Sequence, residues 1–124
     1  LTARASQVGP VGQTCRTAVD GRRAAKVLAQ WSAPFQLTEP ELQILWCLDE
    51  SAANGVDQTT LATRLAFSPA QVSACVEKLR ARGLISQFEV PGDRRRRLWR
   101  CSASGSEVLK KIVQAACVSR EAAA

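Results

Sequence analysis

Histidine, tyrosine and methionine are absent from this 124-residue chain, and aromatic residues make up only 5% of it. Without His or Tyr, nucleophilic chemistry would need a Cys or Ser activated by a Lys or a carboxylate, and no local signature of such a pair is present, so the chain does not read as an enzyme. The five cysteines, Cys15, Cys47, Cys75, Cys101 and Cys117, form no C-x-x-C pair. With no histidine to complete a ligand set, no metal site and no cofactor are expected. An odd number of widely spaced cysteines argues for free thiols, most of them acting as small buried hydrophobes. Long apolar runs are missing too. The longest, Ile44 to Leu48, is far short of the roughly 20 residues of a membrane span, and the first dozen residues hold no signal-peptide core. A cytoplasmic protein is expected, with a start trimmed before Leu1.

What is present is positive charge. Seventeen Lys and Arg against eleven Asp and Glu give a net charge of +6, which favours a polyanionic partner through counterion release. The charge is concentrated: Asp93 to Arg100 holds five Arg and one Asp. At 46% hydrophobic and 23% charged residues, the composition is that of a folded globular chain, and its length suits one domain.

Residues 1–12, with Gly9, Pro10 and Gly12, show no periodicity and read as a mobile N-terminal arm, leaving 13–124 as a single domain. A first helix is predicted from Gln13 to about Ser32, with Ala24, Leu28 and Trp31 on its apolar face. Thr38-Glu39-Pro40-Glu41 reads as a capping box opening a second helix that runs to about Glu50. After a polar break at Ser51 to Gly55, Asp57 can cap a short third helix bearing Leu61, Ala62 and Leu65. Ser68-Pro69-Ala70-Gln71 then opens a fourth helix with the stripe Val72, Val76, Leu79, ended by Gly83. Two short strands are predicted, one ending in Phe88-Glu89-Val90 and the other at Leu98 to Cys101, with Pro91-Gly92 and the Arg run as a long basic tip between them. Ser102 can cap a final helix with an apolar stripe of Val108, Leu109, Ile112, Val113 and Ala116.

Two short helices joined by a tight turn and followed by a basic hairpin are the parts of a winged helix-turn-helix, whose second helix enters the DNA major groove. The expected fold is therefore mainly α with a small β-hairpin, flanked by N- and C-terminal helices for dimerisation. With Val72, Cys75, Val76 and Leu79 turned to the core, the fourth helix exposes Ala70, Gln71, Ser73, Ala74, Glu77 and Lys78. Together with Ser68 and Pro69 at its start, that face is the candidate recognition surface. Gln71 can pair with adenine, and Ser73 with a base or a phosphate. Ser68, Thr59 and Thr60 stand at helix starts, where they serve either phosphate oxygens or simple capping. In the wing, Arg94, Arg96 and Arg97 suit phosphate contacts, and Arg95 suits a narrow minor groove.

Leu61-Ala62, Ser68, Val72-Ser73, Val76, Leu79, Gly83-Leu84-Ile85, Asp93-Arg94-Arg95 and Cys101-Ser102-Ala103-Ser104-Gly105 together resemble the MarR family of bacterial regulators over about Leu37 to Gly105. Cys101-Ser102 stands where Leu-Thr is usual. The resemblance implies a homodimeric regulator of double-stranded DNA, a repressor released by a small-molecule effector. It also implies that Asp93 braces a wing Arg. Family members usually add a sixth helix for dimerisation, whereas here the fifth helix reaches nearly to Ala124. Some relatives sense peroxide through a Cys near the first helix, where Cys15 lies, but they use tyrosines this chain lacks. A redox regulator and a winged-helix protein-interaction module stand as the alternatives. Trp31, Trp46 and Trp99 either line an effector crevice or pack as core aromatics.

Overall fold

The computed structural model describes residues 2–123, and the side-chain surroundings of residues 9–118. In chain order the elements are α1 (Thr2–Ser32), a 3-10 turn (Ala33–Phe35), α2 (Glu39–Ser51), a second 3-10 turn (Ala52–Asn54), α3 (Gln58–Leu65), α4 (Pro69–Ala81), β1 (Ile85–Val90), β2 (Asp93–Cys101) and α5 (Ala103–Ala123). This is the mainly helical, hairpin-bearing architecture expected of a winged helix.

The helix starts arise as their capping residues dictate. The Thr38 hydroxyl accepts the Glu41 N–H, and the Glu41 carboxylate accepts both the Thr38 N–H and its hydroxyl at 2.8 Å. Both bonds fall on Glu41 Oε1, no fully buried side-chain polar atom is left without a partner among the described residues, and such a cap is worth about 1 kcal/mol. Asp57 takes the Thr60 N–H at 2.7 Å to open α3, and Ser68 takes the Gln71 N–H at 3.1 Å to open α4. At the far end of α4, Gly83 N–H bonds the Arg80 carbonyl and Leu84 N–H the Leu79 carbonyl, with Gly83 at φ +72°. That is the Schellman arrangement, closed by contact between the buried Leu79 and Leu84.

The core gathers on α2, whose Ile44, Leu45 and Leu48 are fully buried. Leu61 of α3, Val72, Val76 and Leu79 of α4, Trp99 of β2, and Leu109 and Ile112 of α5 pack around it. A helix covered on several sides needs apolar residues on most faces, which explains the nearly unbroken run in α2.

Two expectations require correction. The stretch 1–12 is not irregular where it is described: α1 begins at Thr2 and runs through Pro10, while Leu1, like Ala124, lies outside the described residues. A proline inside a helix removes one N–H bond and crowds the preceding turn but leaves the later bonds intact. Here the Pro10 carbonyl also accepts the Thr14 hydroxyl at 2.7 Å.

Secondly, the Arg run is not a loop. The second strand begins at Asp93 rather than Leu98, and only Pro91-Gly92 forms the turn. The antiparallel register pairs Ile85 with Cys101 and continues to Glu89 with Arg97, then slips so that Val90 faces Asp93. Arg94, Arg95 and Arg96 are left opposite no partner, as a bulge on β2.

Candidate nucleic-acid interface

The wing is tied to the helix-turn-helix at its base. Val56, which immediately precedes the α3 cap, exchanges both backbone hydrogen bonds with Trp99 at 2.9 Å. This isolated bridge adds a third edge to the hairpin and fixes β2 relative to the start of α3. Arg96 approaches Asp57 with Nε 3.9 Å from Oδ2, a partly exposed pair that adds little energy. Arg100 lies 4.6 Å above the Phe88 ring and stiffens the stem. Within the wing, Asp93 Oδ1 accepts the backbone N–H of Arg95 at 3.1 Å. Asp93 therefore braces the bulge backbone, a donor the slipped ladder leaves free, and not an Arg guanidinium.

The turn between α3 and α4 is short because Ala66 adopts the left-handed conformation (φ 56°, ψ 41°) and Phe67 N–H returns to the Ala62 carbonyl. Ser68, Pro69, Ala70, Gln71, Ser73, Ala74 and Lys78 are all exposed on α4. Thr59 is exposed in the first turn of α3, whereas Thr60 is half-buried with its N–H committed to Asp57. Arg94, Arg95, Arg96 and Arg97 are exposed along β2.

Between α3, α4 and β2 lies an open cleft of about 660 Å³, onto which Thr59, Glu77, Arg80, Arg95, Arg96 and Arg97 converge. Gln71, Ser73, Lys78 and Arg94 do not line it. Helical geometry explains why Gln71 and Lys78 lie off the cleft, since they stand on the flank of α4 turned away from Arg80; Ser73 shares the Arg80 flank but sits nearer the start of the helix, short of the cleft. Arg80 pairs with Glu77 through both carboxylate oxygens. Arg82, at the end of α4, donates to the carbonyls of Gln36 (2.8 Å) and Phe35 (3.0 Å), anchoring that end to the corner between α1 and α2. Arg80 and Arg82 were not among the expected functional residues, and Glu77 was expected on the exposed face of α4 with no role of its own. The helical period marks Glu77 as exposed, but nothing local indicates which flank meets the wing.

The three tryptophans part company. Trp31 and Trp46 line an apolar groove of about 270 Å³ with Leu28, Leu42, Leu109 and Ile112, and Trp46 is 50% exposed. Trp99, 5% exposed, is a core residue. Cys15 is exposed on α1, in a shallow depression with Arg16, Val19, Asp20 and Arg23. Cys117 is exposed on α5 at the rim of the apolar groove. Among the described residues no cluster of three or more His, Cys, Asp or Glu could hold a metal ion. No described helix is long and apolar enough to cross a membrane.

A helix-turn-helix followed by a two-stranded basic wing defines the winged helix-turn-helix class. Within that class, residues 37–96 match the MarR family, and the chain carries a MarR-family domain over that stretch. Solved structures agree on the fold. The transcriptional regulator BldR from Sulfolobus solfataricus superposes with a TM-score of 0.76 at 21% identity, covering 86% of this chain and 76% of BldR. A MepR mutant of S. aureus bound to an oligodeoxyribonucleotide gives 0.73 at 16% identity, over 89% and 80% of the two chains. CouR of Rhodococcus jostii RHA1 bound to p-coumaroyl-CoA gives 0.70 at 23% identity, over 82% and 70%. No curated protein sequence matches the chain significantly.

Proposed function

We propose that this protein is a sequence-specific regulator that binds double-stranded DNA as a homodimer, represses transcription, and is released by a small apolar ligand; it performs no catalysis. The observation that carries this reading is the convergence of Glu77 and Arg80 of α4, Thr59 in the first turn of α3 and Arg95, Arg96 and Arg97 of the wing on one open cleft. A recognition helix in the major groove would bring such a wing over the adjacent minor groove, with backbone phosphates between them. The nucleic-acid-bound MepR neighbour supports the same use of the fold.

Dimerisation is supported by α1. Gln13 to Ala24 are exposed on every face of the helix, so this part has no packing partner among the described residues, and helices in proteins owe most of their stability to such packing. Val11, Val19 and Val27 of α1 and Val113 and Val118 of α5 are exposed apolar side chains on the two terminal helices. The apolar groove lined by Trp31 and Trp46 suits a small planar effector, and CouR offers a ligand-bound precedent on this fold. A redox-sensing variant of the reading rests on Cys15, exposed beside Arg16 and Arg23.

Titration of the wild type and Arg95→Ala against a selected site and a scrambled duplex, at several salt concentrations, tests the proposal. Wild-type binding should weaken steeply as salt rises. Arg95→Ala should weaken binding to both duplexes and reduce the salt slope by about one unit for each phosphate no longer neutralised, or less if Arg95 reads groove shape. Sedimentation in the same buffers should give a dimer. Salt-insensitive association with a protein, and none with DNA, would establish the interaction module instead.

A further inference from the structure

The outward line of α4 carries a single charged head. Because Val72, Cys75, Val76 and Leu79 face inward, the residues diametrically opposite are Ala70, Ala74, Glu77 and Ala81, at i, i+4, i+7 and i+11. All four are exposed. The three alanines end at Cβ, so they allow the helix backbone to approach a groove floor closely and offer apolar contact to thymine methyl groups. Glu77 alone on this line can form hydrogen bonds, and it can only accept them.

Its charge is out of place on a surface built for phosphates. Arg95, Arg96 and Arg97 share the cleft with it, as does Arg80, whose guanidinium holds the carboxylate by a fork of two hydrogen bonds. Arg80 also holds the Glu77 carboxyl below the usual carboxylate range, so the group is ionised at neutral pH. An ionised carboxylate there opposes DNA phosphates unless the duplex supplies a donor. In the major groove, the donors are the exocyclic amino groups of cytosine and adenine; adenine's is flanked by acceptors on both sides, its own N7 and the O4 of thymine, whereas cytosine's has one on a single side, the O6 of guanine, so a carboxylate meets less repulsion at cytosine.

We propose that Glu77 discriminates sequence by accepting a hydrogen bond from the N4 amino group of a cytosine in each half-site, with Arg80 as the positioning residue that orients its carboxylate. The same charge weakens binding to duplexes that present no such donor. Ala70 and Ala74 lie toward thymine methyls on the same groove floor. This assignment rests on the DNA-binding reading above and adds to it the base that one residue reads.

The test is selection of bound fragments from random duplexes with the full chain, followed by titration of single-position variants of the selected site. For the wild type, one fixed C·G pair per half-site is expected, preferred by roughly tenfold over the other pairs. Glu77→Gln keeps the size and shape of an exposed side chain. It should bring that ratio close to one at the same position while leaving the other positions selected, and should bind scrambled duplex about threefold more tightly. Arg80→Gln should reduce the C·G preference in the wild-type background and have no effect on it in the Glu77→Gln background, the mark of a residue acting through another. If the wild type selects a site and Glu77→Gln keeps both that site and the wild-type affinity for scrambled duplex, Glu77 does not discriminate sequence, although DNA binding stands. Uniform weakening on every duplex would assign Glu77 a structural role and overturn the proposal equally. A wild type that binds no duplex would overturn the DNA-binding reading and this one with it.

Discussion

Replacing Gly105 with alanine is expected to destabilise the fold by about 3 kcal/mol, although the same change in an exposed helix stabilises by about 1 kcal/mol. Gly105 lies in the first turn of α5, buried against the start of the wing. A Cβ placed there would overlap the Leu84 carbonyl oxygen, with the carbonyl carbon at 3.0 Å and Leu45 Cδ1 at 3.2 Å. The obstacle is backbone, and it is held: the Leu84 carbonyl accepts Ser102 N–H at 3.0 Å and Leu84 N–H is bound to Leu79. Relief must come from α5, which has to back away by about an ångström. A gap of that size forfeits up to half the dispersion energy of the atoms facing each other across it. Those atoms include the side chains of Leu109 and Ile112, both buried on α5. Urea unfolding followed by tryptophan fluorescence measures the loss, and the thermal midpoint should fall by roughly 10 °C. Two other glycines serve as controls. Gly21→Ala, exposed in α1 with no atom within 4 Å of the added Cβ, should stabilise by up to about 1 kcal/mol. Gly83→Ala, equally unobstructed but at φ +72°, should destabilise by about 1 kcal/mol through backbone strain alone. A Gly105→Ala protein as stable as the wild type would refute the idea that close approach of α5 to Leu84 fixes the glycine.

Brief alkylation of the native protein, read by mass spectrometry, should modify exposed Cys15 and Cys117 and spare the rest until the protein is unfolded. Burial raises the Cys75 thiol above its ordinary value and pushes Cys101 up to about 12, where its Sγ also donates to the Leu45 carbonyl; rapid native modification of Cys101 would contradict this. The Asp57 carboxyl is held below its ordinary 3.8, first by the Thr60 N–H, then by the Thr60 hydroxyl, with Arg96 and Arg64 adding to the effect. Its stabilising contribution is therefore complete above the unfolded value and disappears as pH falls through the lower folded value. The stability gap between wild type and Asp57→Ala should be constant from neutrality down to about pH 5 and narrow below about pH 3.8. An unchanged gap at the acid end would mean that the ionised cap contributes nothing.

The features legible in the sequence are those completed within about four residues. Thr38 with Glu41, Asp57 with Thr60, Ser68 with Gln71, and Gly83 with Arg80 each close a hydrogen bond inside one turn, so residue type and spacing suffice to read them. What escaped depends on partners far apart in the chain. Arg94 to Arg97 have no strand pattern of their own, and Arg97 joins the ladder through Glu89, well back along the chain. The Val56 bridge to Trp99 is invisible for the same reason, as is the anchoring of Arg82 on Phe35 and Gln36. Trp46 and Trp99 look alike as isolated letters, yet one is half exposed on a groove and the other turned from the β2 stem into the core.

The candidate interface divides along the same line. Periodicity identifies the exposed side of α4 correctly, since it needs only the apolar stripe of Val72, Val76 and Leu79. It cannot rank the two flanks of that side, because their ranking is set by how α4 lies against the hairpin. That packing is fixed at a distance, by Val56 gripping Trp99 at one end of the cleft and the Schellman turn at Gly83 aiming β1 at the other. Gln71 and Lys78 are as polar and as exposed as Glu77 and Arg80, and only the second pair shares a cleft with Thr59 and Arg95. An arginine-rich wing beside the Glu77 flank also changes what a carboxylate there means. On an isolated helix, Glu77 and Arg80 would be a surface ion pair of little consequence. Set among Arg95, Arg96 and Arg97, the pair puts the one acceptor-only side chain on the outward line of α4 where phosphates would otherwise be welcome, which makes its base preference the sharpest test of how this surface meets DNA.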